Sequence, residues 1–169
     1  MPDFATHIIE FVAGLEPWQQ VGALFLVGAI PFIESYFGAP IGVLLGINPF
    51  LAIPAAIIGN IVCTFLLIAL AGRVRTAATG NRQGESAEQP SKRRQKVAKY
   101  MGRFGVPGVC LLGPMVLASQ ITGPALVGLG ANRRSVYLWT GISITVWGVV
   151  SGFLAVLLLG AVSYEYLDY

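Results

Sequence analysis

Two apolar stretches, residues 18–48 and 105–131, are too broken for one helix and too short for two membrane spans. The first carries Gly28, Pro31, Glu34, Gly38, Pro40, Gly42 and Gly46. The second carries Pro107, Gly108, Gly113, Pro114, Gly123, Pro124, Gly128 and Gly130. One span needs about 20 predominantly apolar residues, so two spans with a turn need about 40. A hairpin that enters and leaves on the same side fits both lengths. Backbone interrupted this often survives at membrane depth only where protein or a water cavity covers it. Pro31, Pro40, Pro107, Pro114 and Pro124 are therefore read as hairpin-shaping residues.

Membrane depth is the relevant setting because the chain is 55% hydrophobic and only 11% charged, with a mean hydropathy of +0.71. A soluble domain carries about 25% charged residues. An all-α integral membrane protein is predicted, with residues 1–169 as one membrane domain. Met1-Pro2-Asp3 begins acidic, so no secretory leader is expected. Phe4, Ile8, Phe11, Val12 and Leu15 recur at helical spacing opposite His7 and Glu10, which predicts an amphipathic helix at the membrane surface. Clean spans are predicted over Phe50–Gly72 and over residues 135–162. Asn60 and Thr64 sit four apart on one face of the first. Cys63 and Cys110 lie in apolar stretches as small side chains, with neither a disulfide framework nor a metal spacing.

The two broken stretches also share a sequence. Pro40-Ile41-Gly42-Val43-Leu44-Leu45-Gly46-Ile47-Asn48 returns 84 residues later as Pro124-Ala125-Leu126-Val127-Gly128-Leu129-Gly130-Ala131-Asn132, with the Pro, one Val, one Leu, one Gly and the Asn identical. Ser35 falls on Ser119 at the same offset. An internal duplication is the reading: repeat 1 over about 18–73, a polar loop and basic helix over 74–104, and repeat 2 over about 105–163.

Charge sets the direction. All 11 Lys and Arg residues lie within 73–103 or at Arg133-Arg134, and cytoplasmic loops carry the Lys/Arg excess. With two hairpins, both basic clusters face the cytoplasm and both termini lie outside. With four ordinary crossings, one basic cluster would have to lie outside. The hairpin path places each repeat as a re-entrant hairpin plus one full span, and the two repeats are inverted. Inverted repeats with broken segments are a common architecture of secondary transporters. The hairpin tips, around Glu34–Pro40 and Ser119–Pro124, are expected to approach each other from opposite faces. Val97, Tyr100, Met101 and Phe104 form a stripe opposite Lys96, Lys99 and Arg103. This is a basic interfacial helix, read either as a headgroup-binding element or as a plain positive-inside anchor.

Glu34 is the one acid well inside an apolar stretch. A carboxylate at the bilayer centre costs about 2.5–3.5 kcal/mol on insertion scales, and removal from water favours its protonated form. A proton-coupled carrier needs an acid that loads and releases a proton. The alternative is structural: Glu34 caps a half-helix or pairs with Arg103. Asn60, Ser119, Gln120 and Thr122 either line a path with it or satisfy the hairpins' backbone groups. No nucleophile–base pair, phosphate-binding glycine loop or metal cluster is present in the pattern. No enzymatic chemistry, cofactor, metal or nucleic-acid partner is expected.

Pro31-Phe32-Ile33-Glu34, Pro40 five residues on, and Gly59-Asn60 resemble the first half of the small multidrug export protein family. Arg103-Phe104-Gly105-Val106-Pro107 and Ser119-Gln120-Ile121-Thr122-Gly123 resemble its second half. That family looks related to the DedA/VTT superfamily of membrane proteins. The resemblance implies opposed re-entrant hairpins and a role in export or lipid translocation. DedA-type members carry a further arginine a few residues past the hairpin proline, where this chain has Cys110, which argues against transport of anionic phosphate lipids. The expected protein is a multi-pass transporter of the bacterial inner membrane that exports small cationic or amphipathic compounds against protons. The alternative is a DedA-like lipid or polyprenyl-phosphate translocase or scramblase; a third class is a non-transporting assembly module. Membrane lipids and a small-molecule or lipid substrate are the expected partners, and so little membrane-embedded chain makes a homodimer plausible.

Overall fold

The computed structural model describes residues 2–80, 105–115 and 117–165. Among them the chain is all-helical, without strands. The elements are α1 (Pro2–Ala13), α2 (Pro17–Gly28), α3 (Glu34–Leu44), α4 (Pro49–Gly80), α5 (105–112), a 3-10 turn (Gly113–Met115), α6 (Ser119–Leu129) and α7 (Arg133–Glu165). The basic segment with Lys96, Lys99 and Arg103, and the tail 166–169, lie outside the described residues.

The amphipathic α1 is present. Ile8 and Val12 are buried while Phe11 points out, and His7 lies 3.7 Å from Glu10 on an exposed face. Proline at the first helical position and a Glu16–Gln19 capping box start α2, which satisfies backbone donors that a helix start leaves open. The following turn, residues 29–33, holds Pro31. Phe32 in that turn and Glu34 at the start of α3 adopt φ of +69° and +50°, a region that side chains other than glycine rarely enter. With 12 and 11 residues, α2 and α3 are about 18 and 16 Å long. Neither reaches across a hydrocarbon core of about 30 Å.

Pro40 and Pro124 do not make turns. Both lie inside helices, α3 and α6, where the missing N–H withdraws one intrahelical bond from the residue four before. Pro31 and Pro114 are the prolines at the bends, and Pro107 lies near the start of the described part of α5. The bends come just before Glu34 and Ser119, so both residues open the returning limb of a hairpin.

The helices α4 and α7, with 32 and 33 residues, are long and apolar enough to cross a membrane. Pro54 sits near the start of α4 and is accommodated there. The first residues of the expected polar loop over 74–104 are helical instead, because α4 runs on to Gly80. Arg75 donates to the Val127 carbonyl at 3.2 Å and Thr76 to Gly72 at 2.9 Å, so tertiary and local bonds carry the helix past its apolar part.

The repeated nine residues build the same joint twice. In the first copy the N–H groups of Gly46 and Ile47 bond the carbonyls of Val43 and Gly42 at 3.0 and 3.1 Å; in the second, Gly130 and Ala131 bond Val127 and Leu126 at 3.1 and 2.9 Å. This is a Schellman closure, and it wants glycine at the left-handed position; Gly46 and Gly130 have φ of +78° and +107°. Two residues on, each Asn caps a long helix. Asn48 Oδ1 accepts from Phe50 N at 2.9 Å, and Asn132 Oδ1 accepts from Arg134 N and Ser135 N at 3.0 and 3.3 Å. Glycine ends the short helix, asparagine starts the long one, and both signals survive in both copies.

The chain gathers into two compact units whose boundaries fall inside the long helices. The first takes Met1–Val62 and Ile144–Tyr169; the second takes Cys63–Ser143. In the first, Val12, Leu24, Val27, Val43, Ile47, Ala52 and Ala155 form the core. There α2 and α4 pack backbone to backbone: a Cβ on Gly28 would lie 2.8 Å from the Ala56 carbonyl carbon, and one on Gly59 2.7 Å from that of Phe25. In the second unit, Ile68, Cys110, Leu126, Val127, Ala131 and Val136 form the core. Arg133 lies over Gly72 there, so the start of α7 meets α4 close to its arginines Arg73 and Arg75. The contacts inside the two units correspond. Ala39 packs on Gly152 in one, and Gly123 on Ile68 in the other. Ser35 packs on Gly148 in one, and Ser119 meets Thr64 in the other. Each residue of one pair lies 84 positions from its counterpart.

Candidate functional site

The first unit holds a buried polar group at the start of α3. Glu34, Ser35 and Asn60 are 1%, 1% and 0% exposed. The positive φ at Glu34 turns the chain so that the first residue of the returning limb faces inward, and the close α2–α4 packing at Gly59 brings the next residue, Asn60, up to it. Asn60 Nδ2 donates to Glu34 Oε2 at 3.3 Å and to Ser35 Oγ at 3.4 Å. Ser35 Oγ donates in turn to the Ile144 carbonyl at 3.0 Å.

Chemically, this is a buried carboxyl group that accepts a hydrogen bond from the Asn60 amide nitrogen. Among the described residues no three His, Cys, Asp or Glu side chains gather into a metal-binding cluster.

The second unit has its own buried polar residues. Thr64 Oγ1 and Ser119 Oγ share a hydrogen bond of 3.4 Å, and Gln120 is buried beside Ser119 in the chain. Thr140 Oγ1 donates to Cys110 Sγ at 3.4 Å. Ser143 Oγ is buried with no hydrogen-bond partner among the described residues. Thr122 stands apart: it is half-exposed, and its hydroxyl donates to the Leu117 carbonyl at 3.4 Å, a local bond that closes the bend.

The sequence thus singled out Glu34 and Asn60, which meet, and Ser119 with Gln120, which lie in the other unit. Lys96, Lys99 and Arg103 fall outside the described residues. Thr140 and Ser143 were missed; their signal was two hydroxyls three apart in an otherwise apolar helix. An open groove of about 530 Å³ in the first unit is lined by Phe11, Trp18, Phe25 and Leu26 among others and contains none of the buried polar residues. Comparison with protein-family models, curated proteins and solved structures finds no match to this chain.

Proposed function

We propose that this chain is a small integral-membrane transporter that couples the export of small cationic or amphipathic compounds to protons, with Glu34 as the titrating group. The observation that carries the reading is a carboxyl-bearing side chain, Glu34, only 1% exposed inside an apolar unit. The second copy of the joint keeps the Schellman closure and the serine with Ala118 in place of Glu34, and the residue 84 positions after Asn60 is Ile144. The left-handed backbone at Phe32 and Glu34 adds strain of about 1–3 kcal/mol per residue, of the kind that clusters at functional sites.

Membrane insertion is supported by the long helices. Only 39% and 28% of their most apolar windows are buried, whereas the core helix of a soluble protein is mostly buried. Charge supports the orientation: α4 ends and α7 begins among arginines that share one end of the second unit. In this reading α2–α3 and α5–α6 are re-entrant hairpins, the repeats are inverted, and both termini lie outside. Glu34 takes a proton on a carboxyl oxygen from one side of the membrane and yields it to the other as the substrate leaves. The family resemblance at Pro31–Glu34 and Gly59-Asn60 fits this role.

The test is reconstitution into proteoliposomes with an imposed pH gradient and a cationic dye. Wild-type protein moves dye in response to the gradient. Glu34→Gln keeps an acceptor for Asn60, stays folded, and loses pH-driven transport. Full activity with an unchanged pH response in Glu34→Gln would refute the assignment.

A further inference from the structure

We infer that Arg73, Arg133 and Arg134 form a binding site for the phosphate of an anionic phospholipid headgroup. The inference rests on the membrane reading above but not on transport.

The charges of this chain are sorted by unit. All 11 Lys and Arg residues belong to Cys63–Ser143. That range contains two acids, Glu85 and Glu88, and neither is among the described residues. The described part of the unit therefore holds four arginines and no carboxylate. Arg75 is engaged, since it donates to Val127 at the end of α6 and rests against Gly130. A cation at a helix C-terminus is favoured there. Arg73, Arg133 and Arg134 are exposed, and no carboxylate among the described residues pairs with them.

Two glycines fix the arrangement. A Cβ on Gly72 would lie 2.7 Å from Arg133 Nε, and one on Gly130 3.1 Å from Arg75 Nη2. The guanidinium groups thus occupy seats that a side chain would fill, and Arg133 is placed before any ligand arrives. Asn132 holds the N-terminal turn of α7 through Arg134 N and Ser135 N, which fixes the backbone that carries both arginines. Planar guanidiniums bind phosphate oxygens in pairs. The arginines sit at the polar ends of helices whose neighbouring residues Val74, Leu70 and Leu138 are exposed and apolar. A ligand with a phosphate and acyl chains matches that juxtaposition better than free phosphate does.

The experiment uses the full chain in mild detergent and native mass spectrometry with phosphatidylglycerol, phosphatidylcholine and inorganic phosphate. Wild-type protein should retain phosphatidylglycerol over phosphatidylcholine, and phosphate should not displace it. The triple variant R73Q/R133Q/R134Q should lose that preference by about tenfold or more, whereas K92Q/R93Q/R94Q should keep most of it. Gly72→Ala, which unseats Arg133 without removing a charge, should weaken it as well. Equal retention of the two lipids by wild-type protein overturns the proposal, as does an undiminished preference in a folded triple variant. Displacement by millimolar phosphate overturns the lipid as the source. Alkaline extraction separates the two readings. A chain released from membranes sinks the membrane reading, and a chain that stays inserted but ignores the headgroup sinks only this site.

Discussion

Gly59→Ala places one methyl group where α2 and α4 touch. The added Cβ would lie 2.7 Å from the Phe25 carbonyl carbon and 3.0 Å from its Cα, with the oxygen nearer still. Carbon atoms pack best at about 3.5–4.0 Å, so the helices must part by about 1 Å. The obstacle is backbone, so no rotamer change relieves it. A radial gap of about 0.5–1 Å already forfeits a quarter to a half of a dispersion contact. Overpacking of this kind costs about 1–3 kcal/mol, and alanine's better helix propensity returns at most about 1 kcal/mol. The displacement also reaches the next residue. Asn60 holds Glu34 and Ser35 at 3.3 and 3.4 Å, and a shift of about 1 Å takes both past the hydrogen-bond range. Gly59→Ala should therefore lower the melting temperature of the purified protein in detergent and alter the pH dependence of transport. Gly22→Ala is the control, because nothing lies within 4 Å of its Cβ. A Gly59→Ala protein that melts with Gly22→Ala or above wild type would show that α2 and α4 are not packed backbone to backbone.

Asn60→Leu removes the donor to Glu34 and Ser35 and should destabilise by about 1–3 kcal/mol, the desolvation penalty of a buried group that loses its partner. The double variant Asn60→Leu/Glu34→Leu should recover part of that loss, since apolar replacement of both partners can be nearly neutral; chemical denaturation in detergent reads both, and a single variant as stable as wild type contradicts the pairing. Asn48→Ala and Asn132→Ala should each cost about 1 kcal/mol, the usual value of an N-cap, with Asn132→Ala the more harmful because it loses two bonds. Thermal melts unchanged in both variants would argue that the repeated asparagines do not cap.

Much of the fold is legible in the sequence because its signals are local. Glycine, proline and asparagine act on their own backbone, so the broken stretches gave short helices and the repeat gave matching joints. Pro40 and Pro124 misled for a related reason. A proline marks a lost hydrogen bond, and a well-packed helix absorbs that loss without bending into a turn. The end of α4 was misplaced because Arg75 and Thr76 continue the helix through bonds to Val127 and Gly72, and the first of these partners is 52 residues away. The site was half legible. Glu34 announced itself as an acid in an apolar run, but its link to Asn60 depends on Gly59, whose role is a close approach to α2 that composition does not reveal. Ser143 and Thr140 carried only the weak signal of hydroxyls in a long apolar helix, where such residues also bond harmlessly to the preceding turn.

The correspondence between the units separates scaffold from chemistry. Ser35 and Ser119 occur in both copies, and both bond a neighbouring helix, one through the Ile144 carbonyl and the other through Thr64. The Schellman glycines and capping asparagines are likewise kept twice. These residues are explained by the hairpin itself, since a returning limb must be tied to the helix it packs against and then turned into the next one. Glu34 and Asn60 have Ala118 and Ile144 as counterparts. The α5–α6 hairpin has an alanine at the position of Glu34, and burial is unfavourable for a charge-bearing side chain. Glu34 and Asn60 are therefore the positions at which the proposed proton binding is tested.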